Sequence, residues 1–376
     1  RWLRLPCRRI TNGLCIPSNT NWAGSSSWHL REFSGRAENQ LKWIHVKGCL
    51  MDTETLARLL GSCRAHLNHL LVTCVPSHVD CLRAVSEGGM KRLRRVTFHR
   101  VQWSSSATFQ DGIVNVKLVR VFMHSRAALR FLQDTPPTLR TLFLQNVSLT
   151  DEQVDVMEEI AGHCRYPASL RHFTLCTMSM SLISAGLLGS RFTNLRILKI
   201  QNSNLSADML QILMGDDNLS DLTVLDLSSN LLASTALNTL GAFLSRPTCK
   251  LRRLVLACNF FTSDTLVEFV LCLMQNRSLQ HLDLRENFLR YLGYSILFCF
   301  LIDAPESKIS YLDLSMNQIG LEMKSDGWLP YEVGVLLGRC PRLRTLKLER
   351  NTFMAPELKQ YYQQLFRENF STNVVL

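Results

Sequence analysis

One leucine-based pattern recurs along this chain and constrains its fold more than any other feature. Residues 222–232 follow the order Leu-x-x-Leu-x-Leu-x-x-Asn-x-Leu at every fixed position. Four further segments keep the asparagine, and seven upstream segments keep the apolar positions with other residues in its place. The mean interval of about 27 residues is typical of stacked repeats. The twelve repeats start at positions 41, 67, 93, 113, 139, 170, 195, 222, 251, 279, 309 and 343.

The pattern predicts a short strand and then a helix in each repeat. The fourth and sixth positions alternate with other residues, so both leucines point to the same, buried side of a strand. The asparagine can hydrogen-bond backbone groups where the strand turns away, and stacked copies then form a ladder. Apolar residues at helical spacing predict helices over 235–244 and 265–275. The 20-residue interval from 93 to 113 is too short for a full helix.

These elements predict an α/β fold. The expected architecture is a solenoid bent into a horseshoe, with a parallel β-sheet on the concave face and helices on the convex face. Residues 41–354 form this solenoid of about twelve repeats, and residues 1–40 are a basic N-terminal extension, part of a targeting or partner-binding segment. Residues 355–376 are predicted to hold a capping helix, over 356–369, and a tail.

With these motifs, residues 41–353 resemble the ribonuclease-inhibitor-like class of leucine-rich repeat proteins. The repeat arrays of nucleotide-binding innate immune receptors belong to this class. The first repeat, with Cys49 at the asparagine position, looks more like the repeats of F-box adaptors. This sequence shows neither an F-box ahead of the repeats nor a GxxxxGK[ST] phosphate loop. The resemblance therefore implies a fold, and it implies no particular function.

Positive charge is concentrated in the first part of the chain. Residues 1–150 hold 21 Lys and Arg against 8 Asp and Glu, whereas residues 151–376 hold 21 against 23. This asymmetry favours an anionic partner, for which nucleic acid is the usual candidate. The segment before Glu32 has five arginines and no acidic residue, a composition typical of mitochondrial transit peptides. The predicted location is mitochondrial, with a cytoplasmic location as the alternative.

No catalytic or metal-ligating constellation stands out in the sequence. The ten histidines are scattered, and neither HExxH nor CxxC occurs among the residues. The longest apolar stretch, 294–302, is too short to span a bilayer. We therefore expect no enzymatic activity, cofactor, metal, small-molecule substrate or membrane insertion.

The concave face supplies the candidate binding residues. Positions three, five and seven of each strand point away from the leucine core, and in the first seven repeats none of them is acidic. Cations with interleaved aromatic rings suit phosphate contacts and base stacking. Arginines at position two are common in such repeats and are left out of the set. The residues predicted to bind nucleic acid or an acidic partner are Lys47, Arg95, Arg100, Lys117, Arg120, Trp43 and Phe143.

The function predicted from these features is a non-enzymatic scaffold for macromolecular interaction. The most specific form is a subunit of a large ribonucleoprotein such as a mitochondrial ribosome. Its partners would be other proteins of that complex and RNA at the basic N-terminal half. The open alternatives are a substrate adaptor of a ubiquitin ligase, a cytosolic immune or regulatory sensor, and an accessory GTPase activator.

Overall fold

The structure, a computed structural model, divides into two compact units, Arg1–Leu187 (unit 1) and Leu188–Leu376 (unit 2). Each unit is a succession of parallel strands joined through helices, which confirms the predicted α/β solenoid. No helix among the described residues is long and apolar enough to cross a membrane. The described residues are 8–10, 13–16, 41–48, 52–75, 79–103, 111–123, 130–134, 136–149, 155–215, 219–304, 306–320, 328–351 and 356–376.

The strands have the following bounds. In unit 1 they are β1 Arg8–Ile10, β2 Gly13–Ile16, β3 Trp43–Lys47, β4 His69–Thr73, β5 Arg95–His99, β6 Gln102–Trp103, β7 Asn115–Val119, β8 Phe122–Met123, β9 Thr141–Gln145, β10 Ser148–Leu149 and β11 His172–Cys176. In unit 2 they are β12 Ile197–Gln201, β13 Val224–Asp226, β14 Arg253–Val255, β15 His281–Asp283, β16 Tyr311–Asp313, β17 Thr345–Lys347 and β18 Asn373–Val375.

The helices alternate with these strands. They are Thr53–Ser62, Cys81–Glu87, Arg130–Gln133, Val156–His163, Leu182–Arg191, Ala207–Gly215, Thr235–Ser245, Leu266–Gln275, Arg290–Asp303, Trp328–Arg339 and Pro356–Asn369.

In unit 1, strands β2, β3, β4, β5, β7, β9 and β11 form a parallel sheet with equivalent repeat positions side by side. His69 lies beside Arg95, and Lys117 lies beside Phe143. The short strands β6, β8 and β10 follow β5, β7 and β9 along the chain. They form a second, three-stranded parallel sheet. In the short interval from 93 to 113, β6 is therefore the element that follows β5.

The sheet of unit 1 begins upstream of residue 41, where the sequence pattern places its start. β1 and β2 pair antiparallel, and β2 pairs parallel with β3. Ile16 is fully buried there. This added strand covers the edge of β3, which would otherwise present unpaired backbone groups. The remainder of the predicted extension 1–40, and Cys49 of the first repeat, lie outside the described residues.

In unit 2 the asparagines form the predicted ladder. Asn230 Oδ1 accepts from the backbone N–H groups of Ser203 and Leu205, and its amide donates to the Ile200 carbonyl at 2.7 Å. The same side chain also donates to the Leu227 carbonyl of its own repeat. Each such asparagine therefore ties two neighbouring repeats together. Its equivalents, all buried, are Asn259, Asn287, Asn317 and Asn351.

The end of unit 2 contains an element that the sequence pattern does not predict. Helix Pro356–Asn369 coincides with the predicted capping helix, and β18 follows it. β18 pairs parallel with β17, and Val374 is fully buried. The last strand thus covers the edge of β17 as β2 covers that of β3.

Candidate nucleic-acid interface

All seven predicted residues lie on the main sheet of unit 1 or at its edge. Arg95 begins β5 and Lys117 occupies the middle of β7, while Arg100 and Arg120 directly follow these two strands. The four side chains are all exposed. Because β5 and β7 are paired neighbours, about 4.8 Å apart, the structure gathers four cations on two adjacent strands. We call these four residues the basic surface.

Arg100 and Arg120 occupy the same turn position in successive repeats. Both have left-handed backbones, with φ of 54° and 52°. The N–H of Arg100 donates to the Val119 carbonyl at 2.9 Å, and that of Arg120 donates to the Gln145 carbonyl at 2.8 Å. These inter-repeat bonds hold the left-handed turns, which cost a non-glycine residue about 1–2 kcal/mol. The bases of both arginine side chains are therefore fixed side by side at the sheet edge.

His99 lies among these cations and is absent from the set predicted from the sequence. Its pKa is lowered by burial and then by Arg100, Arg120 and Lys117. The pKa of His69 is lowered by burial and by Arg95. Both histidines occupy outward positions of their repeats, and this placement is the sequence signal by which they could have been included. The neighbouring cations contribute to both pKa shifts, as expected where the electrostatic potential is positive.

Phe143 and Trp43 are the two aromatic residues predicted to stack with bases, and their surroundings in the structure differ. Lys117 Nζ lies 4.5 Å from the centroid of the Phe143 ring, a cation–π contact within the protein. This contact occupies one face of the half-buried Phe143 and orients the lysine. Trp43 shares a row with Arg95 but lies two strands away, on β3, as does Lys47. The two β3 residues thus flank the basic surface.

Most of the described acidic residues of unit 1 lie on or beside its helices, and Asp111 lies in the turn before β7. Asp52, Asp80 and Asp155 cap helix N-termini, with Asp80 accepting from the Arg83 N–H at 2.9 Å. Glu87 pairs with Arg83 on an exposed helix face. In contrast, strands β3, β4, β5, β7, β9 and β11 contain no Asp or Glu. The outward face of the sheet in unit 1 is therefore positively charged.

The sheet of unit 2 carries aspartates, but they are withdrawn from the surface. Asp226, Asp283 and Asp313 are 7 %, 5 % and 3 % exposed. Each accepts a hydrogen bond from the backbone N–H two residues further along, at 3.1–3.2 Å. They therefore stabilise the turn after each strand, and they are not available to bind a cationic partner.

Two of the arginines at position two, Arg94 and Arg140, have hydrogen-bond partners within the protein. Arg94 Nη1 donates to the Gly112 carbonyl at 2.7 Å, and Arg140 Nη1 donates to the Ser169 carbonyl at 3.0 Å. Each guanidinium group thus ties the beginning of its repeat to the residues just before the next repeat. These contacts support leaving Arg94 and Arg140 out of the binding set.

The described residues include no group of three His, Cys, Asp or Glu side chains placed to hold a metal ion. The described cysteines are free thiols, and burial raises the pKa of Cys81, Cys63 and Cys340. A raised pKa leaves less of the reactive thiolate. The site with the clearest chemistry is therefore the basic surface.

Affinity for RNA should rise as pH falls from about 7.5 to about 5.5, because His99 lies within the basic surface. Burial and the neighbouring cations lower the pKa of the free imidazole, whereas a bound phosphate would stabilise the imidazolium and raise that pKa. Binding then takes up a proton. Titrating oligouridine, whose bases do not ionise in this range, would measure the effect. The variant His99→Gln should flatten the dependence, and an unchanged pH profile in that variant would contradict a role for His99.

No protein-family model matches this chain. Its relatives include mouse NACHT, LRR and PYD domains-containing protein 9B, 30 % identical over 131 residues, or 35 % of this chain and 12 % of the relative. The human NACHT, LRR and PYD domains-containing protein 13 is 34 % identical over 123 residues, or 32 % and 12 % of the two chains. The matches thus span about an eighth of the length of these relatives.

Among solved structures, an internalin (inlF) from Listeria monocytogenes superposes with a TM-score of 0.53 and 14 % identity, covering 97 % of this chain and 86 % of the internalin. The fold of this chain is a leucine-rich repeat solenoid. A TLR13–ssRNA13 complex has a TM-score of 0.47 at 18 % identity, covering 89 % of this leucine-rich repeat protein and 44 % of that chain. At these identities the internalin match shows the fold alone.

Proposed function

We propose that this leucine-rich repeat protein is a non-enzymatic scaffold that binds RNA through the basic surface of unit 1. The observation that supports it is the gathering of Arg95, Arg100, Lys117 and Arg120 on a sheet whose strands carry no acid. Four cations on two adjacent strands can neutralise several phosphates of one RNA segment. Lys47 and Trp43 flank this surface and extend the contact.

RNA fits this surface better than an acidic protein does, for a geometric reason. Arg95 begins β5, whose five residues span roughly 13 Å, and Arg100 lies in the turn directly beyond the end of that strand. Arginine forks and a lysine point charge match phosphate oxygens, which recur at every nucleotide. Asn115, Thr97 and Thr141 lie beside the cations on the same outward rows and can hydrogen-bond sugar hydroxyls and base edges.

The assembly that we propose for this role is a large ribonucleoprotein, with a mitochondrial ribosome as the specific candidate. The acid-free, arginine-rich start of the chain and the charge of residues 1–150 support it. Localising the natural full-length protein is the test for this part. A cytosolic protein that never enters mitochondria would contradict the mitochondrial ribosome and leave RNA binding by unit 1 intact.

RNA binding itself is tested with two labelled polyanions of matched charge, a single-stranded RNA and a polyglutamate peptide. We expect the RNA to bind more tightly and to lose affinity steeply as salt rises, with a log–log slope of about −0.7 per phosphate contact. Equal or tighter binding of polyglutamate would contradict the proposal and assign the surface to an acidic protein.

A second candidate function is that of an immune or regulatory sensor. The local identity of 30 % and 34 % to two NACHT, LRR and PYD domains-containing proteins favours it. Cytosolic residence of the natural full-length protein would favour this candidate over the mitochondrial ribosome.

A further inference from the structure

Positive charge is concentrated at the edge of unit 2 where its strands begin. Residues 188–376 contain 19 Lys and Arg against 18 Asp and Glu, so the unit as a whole is nearly neutral. The segments that lead into β14, β15, β16 and β17 are residues 246–252, 276–280, 303–310 and 339–344. Their only acidic residues are Asp303 and Glu306. Their cations, which we call the basic edge, are Arg246, Lys250, Arg252, Arg277, Lys308, Arg339, Arg342 and Arg344.

Strand pairing holds these segments side by side. β14 to β17 pair in parallel and in register, so the residues that precede them meet at one edge of the sheet. The backbone bonds continue there, since the N–H of Gln280 donates to the Arg252 carbonyl at 2.9 Å. The N–H of Ser310 donates to Gln280, and that of Arg344 donates to Ser310, both at 2.8 Å. Arg252 and Arg344 are three strands apart, which corresponds to about 14 Å.

The cations of the basic edge are open to a ligand. Arg246 is half-buried and donates to the Met214 carbonyl, whereas the other seven are exposed. Arg342 Nη1 donates to the Ser307 carbonyl at 3.0 Å. Unlike the position-two arginines of unit 1 described above, four side chains of the basic edge make no hydrogen bond or ion pair with any described residue. They are Arg252, Arg277, Arg339 and Arg344.

Neighbouring charges set the limits of the basic edge. On the side of β13, Asp221 pairs with Lys250 at 2.6 Å, while Asp216 and Asp217 lie outside the described residues. On the side of β18, Arg367 and Glu368 are both exposed on the last helix and offset each other. The excess of positive charge is therefore confined to the segments before β14 to β17.

The described residues of these four segments include no exposed large apolar or aromatic side chain. Protein interfaces obtain most of their binding energy from aromatic and apolar anchors, and helices that bind membranes insert an apolar face. Contacts with the phosphates of a nucleic acid need only cations and hydrogen-bond donors. Charge without apolar anchors therefore favours a nucleic acid over a protein or a membrane at this edge.

The same composition distinguishes between forms of RNA. Proteins that bind single strands combine cations with aromatic rings on which the unpaired bases stack. In a duplex the bases are already stacked, and proteins contact its phosphates and 2′-hydroxyls. Six of the eight cations are arginines, whose planar guanidinium groups can donate two hydrogen bonds to one phosphate. The basic edge therefore fits a duplex better than a single strand.

We propose that the basic edge of unit 2 binds the phosphate backbone of double-stranded RNA, independently of its sequence. Asp303 and Glu306 share one segment with Lys308, so that segment contributes little, and the arginines on either side of it make the contact. This inference rests on the proposed function for the class of its ligand, RNA. It does not depend on the residues of unit 1.

The test uses the whole chain with Arg95→Glu, Lys117→Glu, so that the basic surface of unit 1 no longer contributes. The ligands are a labelled RNA duplex of about 16 base pairs and one of its strands alone, titrated by fluorescence anisotropy. We expect the duplex to bind at least tenfold more tightly than the strand. Adding Arg277→Glu, Arg344→Glu should weaken duplex binding about tenfold, because two phosphate contacts are replaced by repulsive carboxylates. Circular dichroism should stay unchanged, since both side chains are exposed.

The matched control, Arg290→Glu, Arg350→Glu, changes the net charge of unit 2 equally. Both arginines are exposed and lie beyond the opposite ends of β15 and β17. This control should weaken duplex binding less than about threefold. Equal losses in the two double variants, equal binding of duplex and strand, or no measurable duplex binding would overturn the proposal. Tighter binding of a polyglutamate peptide of matched charge would overturn it in favour of an acidic protein.

Failure of the proposed function would be seen in a different measurement. In that case, Arg95→Glu, Lys117→Glu would leave the affinity of the otherwise unchanged chain for single-stranded RNA unaltered. The response of duplex binding to Arg277→Glu, Arg344→Glu is measured separately and decides only the role of the basic edge.

Discussion

Replacing Asn287 by alanine should lower the free energy of unfolding by about 3 kcal/mol. Asn287 Oδ1 accepts from the Phe261 N–H at 3.2 Å, and its amide donates to the carbonyls of Leu256 at 3.1 Å and Leu284 at 2.9 Å. Asn287 is only 2 % exposed, so alanine leaves these buried backbone groups without a hydrogen-bond partner. Buried groups that lose a hydrogen bond cost about 1–3 kcal/mol each, reduced where water enters.

Urea denaturation followed by circular dichroism measures this change. The matched control is Asn238→Ala on the exposed face of helix Thr235–Ser245, for which we expect less than about 0.5 kcal/mol. Asn287→Asp keeps the acceptor oxygens but replaces the amide donor with a carboxylate that faces carbonyl oxygens. It should therefore destabilise the protein at least as much as alanine does. A loss below about 1 kcal/mol in both variants would show that the ladder contributes little.

The asparagine ladder illustrates why so much of this fold follows from the sequence. Leucines at fixed positions are buried in every repeat, and each asparagine has the same backbone groups to satisfy. Pattern and structure therefore agree repeat by repeat, as with helices Thr235–Ser245 and Leu266–Gln275, which were predicted over 235–244 and 265–275.

The strands at the ends of the sheets could not be predicted in the same way. β2 and β18 lack the leucine pattern by which the other repeats are recognised. Their reason lies in tertiary structure, because the first and last repeat strands need an edge partner. The need for an edge partner becomes visible only when β3 and β17 are placed in their sheets.

The outward rows show a second limit. Sequence position gives the direction of a side chain, so Arg95 and Lys117 were placed on the outward face of the sheet. Sequence position does not give the exposed fraction of a side chain or the groups that it contacts. Asp283 has the same outward position and is nonetheless buried against its own backbone. The contact of Lys117 with Phe143 likewise depends on the register of two strands that are distant in sequence.

Reversing two charges of the basic surface should have the largest effect on binding. The double variant Arg95→Glu, Lys117→Glu should reduce RNA affinity well over tenfold, because it removes two phosphate contacts and adds two repulsive carboxylates. The log–log salt slope should become shallower by about 1.4, since each lost contact with a single strand contributes about 0.7. Both side chains are exposed, so the fold should persist with stability changed by roughly 0.5 kcal/mol or less per site.

The matched control reverses two cations of the same unit outside its sheet. Arg58→Glu, Arg83→Glu changes the net charge equally, but these side chains lie on helices, paired with Glu54 and Glu87. Nonspecific attraction between a basic protein and RNA would fall equally in both double variants. Binding at the basic surface predicts a large loss only for Arg95→Glu, Lys117→Glu. Equal losses, or an affinity insensitive to salt, would contradict RNA binding at this surface. The sheet of unit 1 would then have to be assigned to a protein partner, for which cations on rigid strands and the Lys117–Phe143 contact provide a surface of a different kind.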